Sequence, residues 1–190
     1  MATFKALLDA NVLYPQYLND ALLRLAYAGV YQVRWSEQIL EEMARNVKLK
    51  KPESLHVNID RRVGRMKEAF PEAMVAGYEN LIPQMTNDKK DRHVLAAAIV
   101  GGADVIVTSN VKDFPPSSCT PYGIDVQPPD RFLCYQWELR DPEYLTAVLE
   151  GWASGLAAPP LTLTELLEEH LARSAPEFCA AVLQFVRSRT

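Results

Sequence analysis

Acidic side chains stand at Asp9, Glu41, Glu42, Asp88, Asp91 and Asp113, each beside the end of an apolar run or within reach of a helical pattern. Carboxylates gathered within several Å repel one another, which raises their pKa values or opens the site unless a cation is present. The donors are hard oxygens, with no Cys and no convincing His among them, so the cation expected is Mg²⁺ or Mn²⁺ rather than zinc. Such an ion lowers the pKa of a bound water, aligns it with a phosphodiester and stabilises charge on the leaving oxygen. Metal-assisted hydrolysis is therefore the chemistry these residues could do together.

The local sequence predicts the elements that must position them. Asp9 closes the apolar strand pattern Phe4 to Leu8 and is delivered to the C-terminal edge of a sheet, with Asn11 just beyond. Further on, Val94, Leu95, Ala98 and Ile99 share one helical face that stops at Gly101 and Gly102. Asp88 and Asp91 then lie in or just before the first turn, where they would also suit a helix cap and its N3 partner. Val105 to Thr108 reads as a buried strand, and Asn110 and Asp113 follow in the loop at its C-terminal end, where open parallel sheets bind ligands. Ser36 is a good N-cap for a helix whose apolar face is Ile39, Leu40 and Met43. Glu41 and Glu42 point about 100° apart on that helix, so only one of them can face a given site. His93, two residues after Asp91 on the same predicted helix, is expected to face elsewhere and to be structural.

The motifs LLDANVLYP, SEQILEEM, DRHVLAAA and TSNVKDF, spanning roughly Phe4 to Phe114, resemble those of the PIN-domain ribonucleases, especially the toxins of bacterial toxin-antitoxin pairs. The resemblance implies a three-layer α/β/α sandwich with a central parallel sheet, and metal-dependent endonucleolytic cleavage of RNA. It implies that the catalytic and metal-binding carboxylates are Asp9, Glu42, Asp91 and Asp113. Glu42 is chosen over Glu41 because the family's glutamate immediately precedes the apolar residue occupied here by Met43. Asp9 and Asp91 would be direct or near-direct ligands of Mg²⁺ or Mn²⁺, Glu42 and Asp113 would hold a second ion or its waters, and Asn11, Asp88 and Asn110 would support them. The implied partners are an RNA substrate, a protein antitoxin that covers the acidic cleft or inserts a cation into it, and a second copy of the chain in a homodimer. Asn11 and Asn110 depart from the family's frequent Thr or Ser and Asp, respectively, but keep a polar group. Two other readings compete: a non-catalytic PIN module that binds RNA or a protein, and a haloacid-dehalogenase-type phosphatase with Asp9 as nucleophile. The phosphatase reading is disfavoured by Asn11, which stands where that family needs a second Asp.

Strand patterns near 4–9, 31–35, 105–109 and 124–126 alternate with helical ones, which predicts an α/β domain over residues 1–128. From Pro129 the pattern is helical only, near 132–137, 142–152, 164–173 and 176–187, which predicts a C-terminal helical extension over 129–190. AAPP at 157–160 reads as a hinge, and Phe70 to Pro83 as a further helix and connection. The net charge of -4 argues against indiscriminate nucleic-acid binding. Yet Arg45 to Lys67 holds eight Lys or Arg against two acids, a local +6 that could track phosphates beside an acidic site. Cys119, Cys134 and Cys179 have neither disulfide nor zinc spacing and read as small apolar residues. There is no apolar run of about 18 residues and no leader pattern, so no membrane partner and a cytoplasmic location are expected.

Overall fold

Short aliphatic and β-branched runs assemble into a five-stranded, all-parallel sheet in the computed structural model, which describes residues 4–156 and 161–189. The strands are β1 (Lys5–Leu8), β2 (Gln32–Ser36), β3 (Met74–Val75), β4 (Val105–Val107) and β5 (Asp125–Gln127), in the order β3-β2-β1-β4-β5. Leu7 pairs with Arg34 on one side and with Ile106 on the other. All three residues of β4 are fully buried, as its unbroken Val-Ile-Val run requires of a central parallel strand. The expected α/β class, with a central parallel sheet and a helical C-terminal region, is the one found.

The chain divides into two compact units: residues up to Pro15 with Tyr31–Pro128, and Gln16–Val30 with Pro129 onward. The first unit holds the sheet with α1 (Ala10–Leu13), α3 (Glu37–Lys48), α4 (His56–Ala69), α5 (Arg92–Val100) and α6 (Pro116–Cys119); α2 (Gln16–Tyr27) belongs to the second. Ser36 caps α3 as its position predicts, its hydroxyl accepting from the Ile39 N–H at 3.3 Å. Residues 93–98 of α5 are buried all round, the mark of a helix enclosed in the core rather than lying on it. Gly102 follows α5 in the left-handed region (φ 59), which lets the chain turn directly into β4.

One expected element of this unit is not found. Phe70 to Pro83 forms no α-helix: two 3-10 helices, Pro71–Ala73 and Glu79–Gln84, flank the edge strand β3. Pro71 and Pro83 lack the N–H a helix needs, Phe70 before Pro71 is outside the helical region (φ -132, ψ 65), and Gly77 has φ 78.

The second unit contains α2, α7 (Pro129–Leu139), α8 (Pro142–Ser154), α9 (Leu163–Glu165), a π-helical turn at Leu166–Leu171 and α10 (Pro176–Ser188). Phe132, Leu149, Trp152, Phe178 and Val182 form its buried interior. Asp130 reaches across from α7 to cap α10, accepting from the N–H groups of Glu177 and Phe178 at 3.0 and 2.9 Å. Thr162 and Glu165 form the capping box that their spacing announces. The stretch at 157–160, read as a hinge, lies outside the described residues. Burial pushes the Cys179 thiol up to about 12, in keeping with an inert packing residue. Among the described residues no helix is long and apolar enough to cross a membrane.

Candidate active site

β1 and β4 are neighbours in the sheet, yet the chain leaves β1 toward β2 and β3 on one side and β4 toward β5 on the other. This is a topological switch point, and the crevice beyond the strand ends there is where doubly wound sheets bind ligands. Asp9 follows β1 and Asn110 and Asp113 follow β4, so both sides of the crevice carry residues singled out by the sequence, with Thr108 beside them.

Asp9 is buried and held by three donors. Its carboxylate accepts from the Ala10 N–H at 2.7 Å, the Asn11 amide at 2.6 Å and the Thr108 hydroxyl at 2.7 Å. Thr108 in turn accepts from the Asn11 amide at 2.9 Å and from the Asn110 N–H at 3.0 Å, while the Asn11 carbonyl oxygen takes the Ser109 N–H at 2.9 Å. Burial raises the pKa of Asp9; the bonds from Thr108 and Ala10 oppose that rise, and Glu42 adds to it.

Asp91 stands at the N-cap of α5 (φ -104, ψ 9) but its side chain makes no capping bond. Asp88 does not cap the helix either: its carboxylate accepts from the Lys90 N–H at 3.0 Å in a local turn, and its own N–H bonds the Asp113 carbonyl at 3.0 Å. The cap-and-N3 assignment is therefore corrected, because the helix begins one residue after Asp91. The Asp91 carboxyl is left unspent beside other acids. Its pKa is pushed up to about 6, first by burial and then by the charges of Asp9, Asp113 and Asp88, with His93 opposing.

Glu42 and Glu41 diverge as helical geometry demands. Glu41 lines a groove between α3 and α4 with Leu40, Ala44, Lys48 and Val63. Glu42 turns to His93, whose Nε2 lies 3.5 Å from Glu42 Oε1. His93 is buried, and its Nδ1 lies 3.0 Å from the Lys90 carbonyl, which makes Nδ1 the protonated nitrogen. Nε2 then meets a carboxylate favourably only when it too carries a proton. Burial alone would raise the pKa of Glu42, but His93, Gln38 and Arg45 together bring it below its ordinary value. Burial likewise lowers that of His93, and Glu42, the Lys90 carbonyl and Asp9 more than reverse this.

His93 was expected to face away from the acids, and the structure corrects this. The expectation assumed that the helix runs through Asp91, whereas Asp91 is the cap and its direction is not tied to the helical period. Thr108 went unmentioned as a site residue, although its position two residues before Asn110 at a strand's C-terminal end was a usable signal.

The charge relations join Asp9, Glu42, Asp88, Asp91, Asp113 and His93 into one electrostatic cluster. Asn110 meets it through its backbone N–H. Among the described residues no three Asp, Glu, His or Cys side chains converge into a ready cage for one ion. The donor set still fits a small hard cation, since Mg²⁺ is commonly held by one or two carboxylates with waters completing the shell. The mutual repulsion at Asp91 is the kind that a cation relieves.

Removal of the Thr108 hydroxyl should be costly. Thr108→Val deletes the charge-assisted bond to Asp9 and strands two donors, and is expected to cost about 1–3 kcal/mol in denaturant unfolding. An unchanged midpoint would show that water replaces the hydroxyl without loss.

A doubly wound parallel sheet with a carboxylate cluster at its switch point thus defines the class of this molecule. The PIN-domain family model matches residues 5–112, more than half of the sequence, and the chain belongs to that family. It is also 44% identical over 108 residues to a protein of Mycobacterium tuberculosis (strain ATCC 25618 / H37Rv) that bears the name "Putative ribonuclease VapC50". The match covers 57% of this chain and 63% of that protein, so the chain spans less than two thirds of its relative. No solved structure matches it.

Proposed function

We propose that this protein is a metal-dependent endoribonuclease that hydrolyses RNA phosphodiester bonds, and that it is the toxin of a type II toxin-antitoxin pair. The observation that carries the reading is the unspent Asp91 carboxyl beside the switch point, its pKa raised by burial and then by its acidic neighbours. The name of the 44% identical relative, a ribonuclease, supports it.

In this reading Asp9 and Asp91 hold a Mg²⁺ or Mn²⁺ ion, and Glu42 and Asp113 hold a second ion or its waters. Bound there, the cation supplies Lewis-acid activation of a water and neutralises charge on the phosphate. The chain's own residues do the rest. Asn11 and Thr108 fix the carboxylate of Asp9, the Asn110 N–H fixes Thr108, and His93 fixes Glu42. Asp88 ties the loop before α5 to the loop after β4 through its bond to the Asp113 carbonyl. An antitoxin would silence the enzyme by covering this cleft or placing a cationic side chain in it. A cytoplasmic location and a homodimer are part of the proposal by likeness to the family.

The test is cleavage of labelled single-stranded RNA with Mn²⁺ or Mg²⁺, with and without chelator. Cutting that requires the metal supports the nuclease. A folded protein that cuts none of several RNAs, and is indifferent to chelator, supports instead the non-catalytic PIN module that binds RNA or a protein.

A further inference from the structure

The basic stretch that begins at Arg45 is only partly committed to internal pairs. Lys48 is tied to Asp60 and Lys67 to Glu37. Two of its other members turn instead to the short helix that starts at Asp9. Arg62 donates to the Leu13 carbonyl at 3.0 Å, and the Lys50 ammonium lies 5.1 Å from the centre of the Tyr14 ring.

Tyr14 ends α1 in helical geometry (φ -67, ψ -51), its N–H donating to the Ala10 carbonyl at 3.0 Å. It therefore shares a helical face with Asn11, three residues earlier, whose amide bonds Asp9 and Thr108. By the helical rise Tyr14 sits roughly 7 Å along α1 from Asp9. Its ring is half-buried, whereas Lys50 is exposed. An aromatic ring and an exposed cation thus stand on the helical face of Asn11, the residue that holds Asp9.

We infer that Tyr14 and Lys50 form a nucleotide subsite flanking the scissile phosphate: a base of the RNA strand stacks on the Tyr14 ring while Lys50 pairs with the adjoining phosphate. The assignment rests on the reading of this protein as an RNA-binding nuclease. An exposed lysine over a ring is weakly held, and a base stacks on the same ring more strongly and with little regard to sequence. Lys50 released from the ring gains a phosphate, to which a flexible ammonium is well suited. The subsite therefore positions the strand without specifying the base.

The probe is a fluorescein-labelled single-stranded oligoribonucleotide of mixed sequence. Its Kd is measured in chelator and its steady-state cleavage in Mn²⁺, for wild type, Tyr14→Leu, Tyr14→Phe and Lys50→Gln. Tyr14→Leu should raise Kd and KM about tenfold with little change in kcat, and Tyr14→Phe should restore both, because stacking needs the ring and not the hydroxyl. Lys50→Gln should flatten the dependence of log Kd on log salt by about 0.7, the loss of one phosphate contact on a single strand. Equal Kd and KM in wild type and Tyr14→Leu overturns the subsite, as does a wild type that does not bind the oligonucleotide. A wild type that binds but never cuts overturns the nuclease reading alone, and the Kd series still decides the subsite.

Discussion

Asp91→Asn is expected to abolish metal-dependent RNA cleavage, by about 10³-fold or more, while the folded protein becomes slightly more stable. The two effects have one cause. Asp91 makes no capping bond, so its replacement removes no structural contact at the start of α5. Its carboxyl is held at about 6 by burial and by Asp9, Asp113 and Asp88, against an ordinary value of 3.8. That difference corresponds to at most about 3 kcal/mol of destabilisation at neutral pH. Solvent screening at a partly exposed carboxyl reduces it to about 1 kcal/mol. The isosteric amide carries no charge and escapes this cost, so the metal-free variant should melt about 2–4 °C higher than wild type. Cleavage assays with melting curves on the same samples check both halves. A variant that loses activity and also melts lower would mean that Asp91 serves the fold and not the site.

The second large effect is a pH-dependent gain of stability on adding a divalent cation. In the folded protein Asp91 keeps its proton up to about pH 6, whereas the unfolded chain releases it near 3.8. Between those values the folded state binds more protons, so metal-free stability falls as pH rises through that window, and the loss is complete above it. Asp9, also raised, contributes in the same direction. His93 is raised above 6.5, so its contribution is present below that pH and is lost as pH rises through its folded value. Glu42 is lowered, so its contribution holds above 4.5 and is lost as pH falls through its folded value. Since Glu42's contribution is unchanged between pH 5 and 8 while those of Asp91, Asp9 and His93 decline, the metal-free protein should be less stable at pH 8 than at pH 5. A cation requires the ionised carboxylates, so protons compete with it at pH 5 and not at pH 8. At about 100 times its Kd it should add roughly 2.7 kcal/mol at pH 8, and much less at pH 5. Melting temperatures with Mn²⁺ and with chelator at the two pH values measure this. An equal gain at both would place the cation elsewhere on the protein.

The sequence by itself determined the α/β class, four of the five strands and most of the helices, because these depend on local pattern. An apolar run that ends on Asp9, a Val-Ile-Val strand that ends near Asn110, and Ser36 before an amphipathic run each specify an element from within a few residues. The helical face of α3 even required Glu41 and Glu42 to part, though not which of them meets the cluster. The family resemblance favoured Glu42, and the tertiary structure brings His93 of α5 against it. The tertiary structure alone decided that Thr108 joins Asp9 to Asn11 across 99 and 97 residues of sequence, and that Lys50 lies on Tyr14. It placed Gln16–Val30 with the C-terminal helices, which amphipathic periodicity cannot do, since an apolar face does not name its partner. Side-chain direction at a helix cap, and the choice among distant partners, arise only when separate elements pack. That is why the reading of His93 from helical spacing failed while the strand patterns of β1, β2, β4 and β5 held.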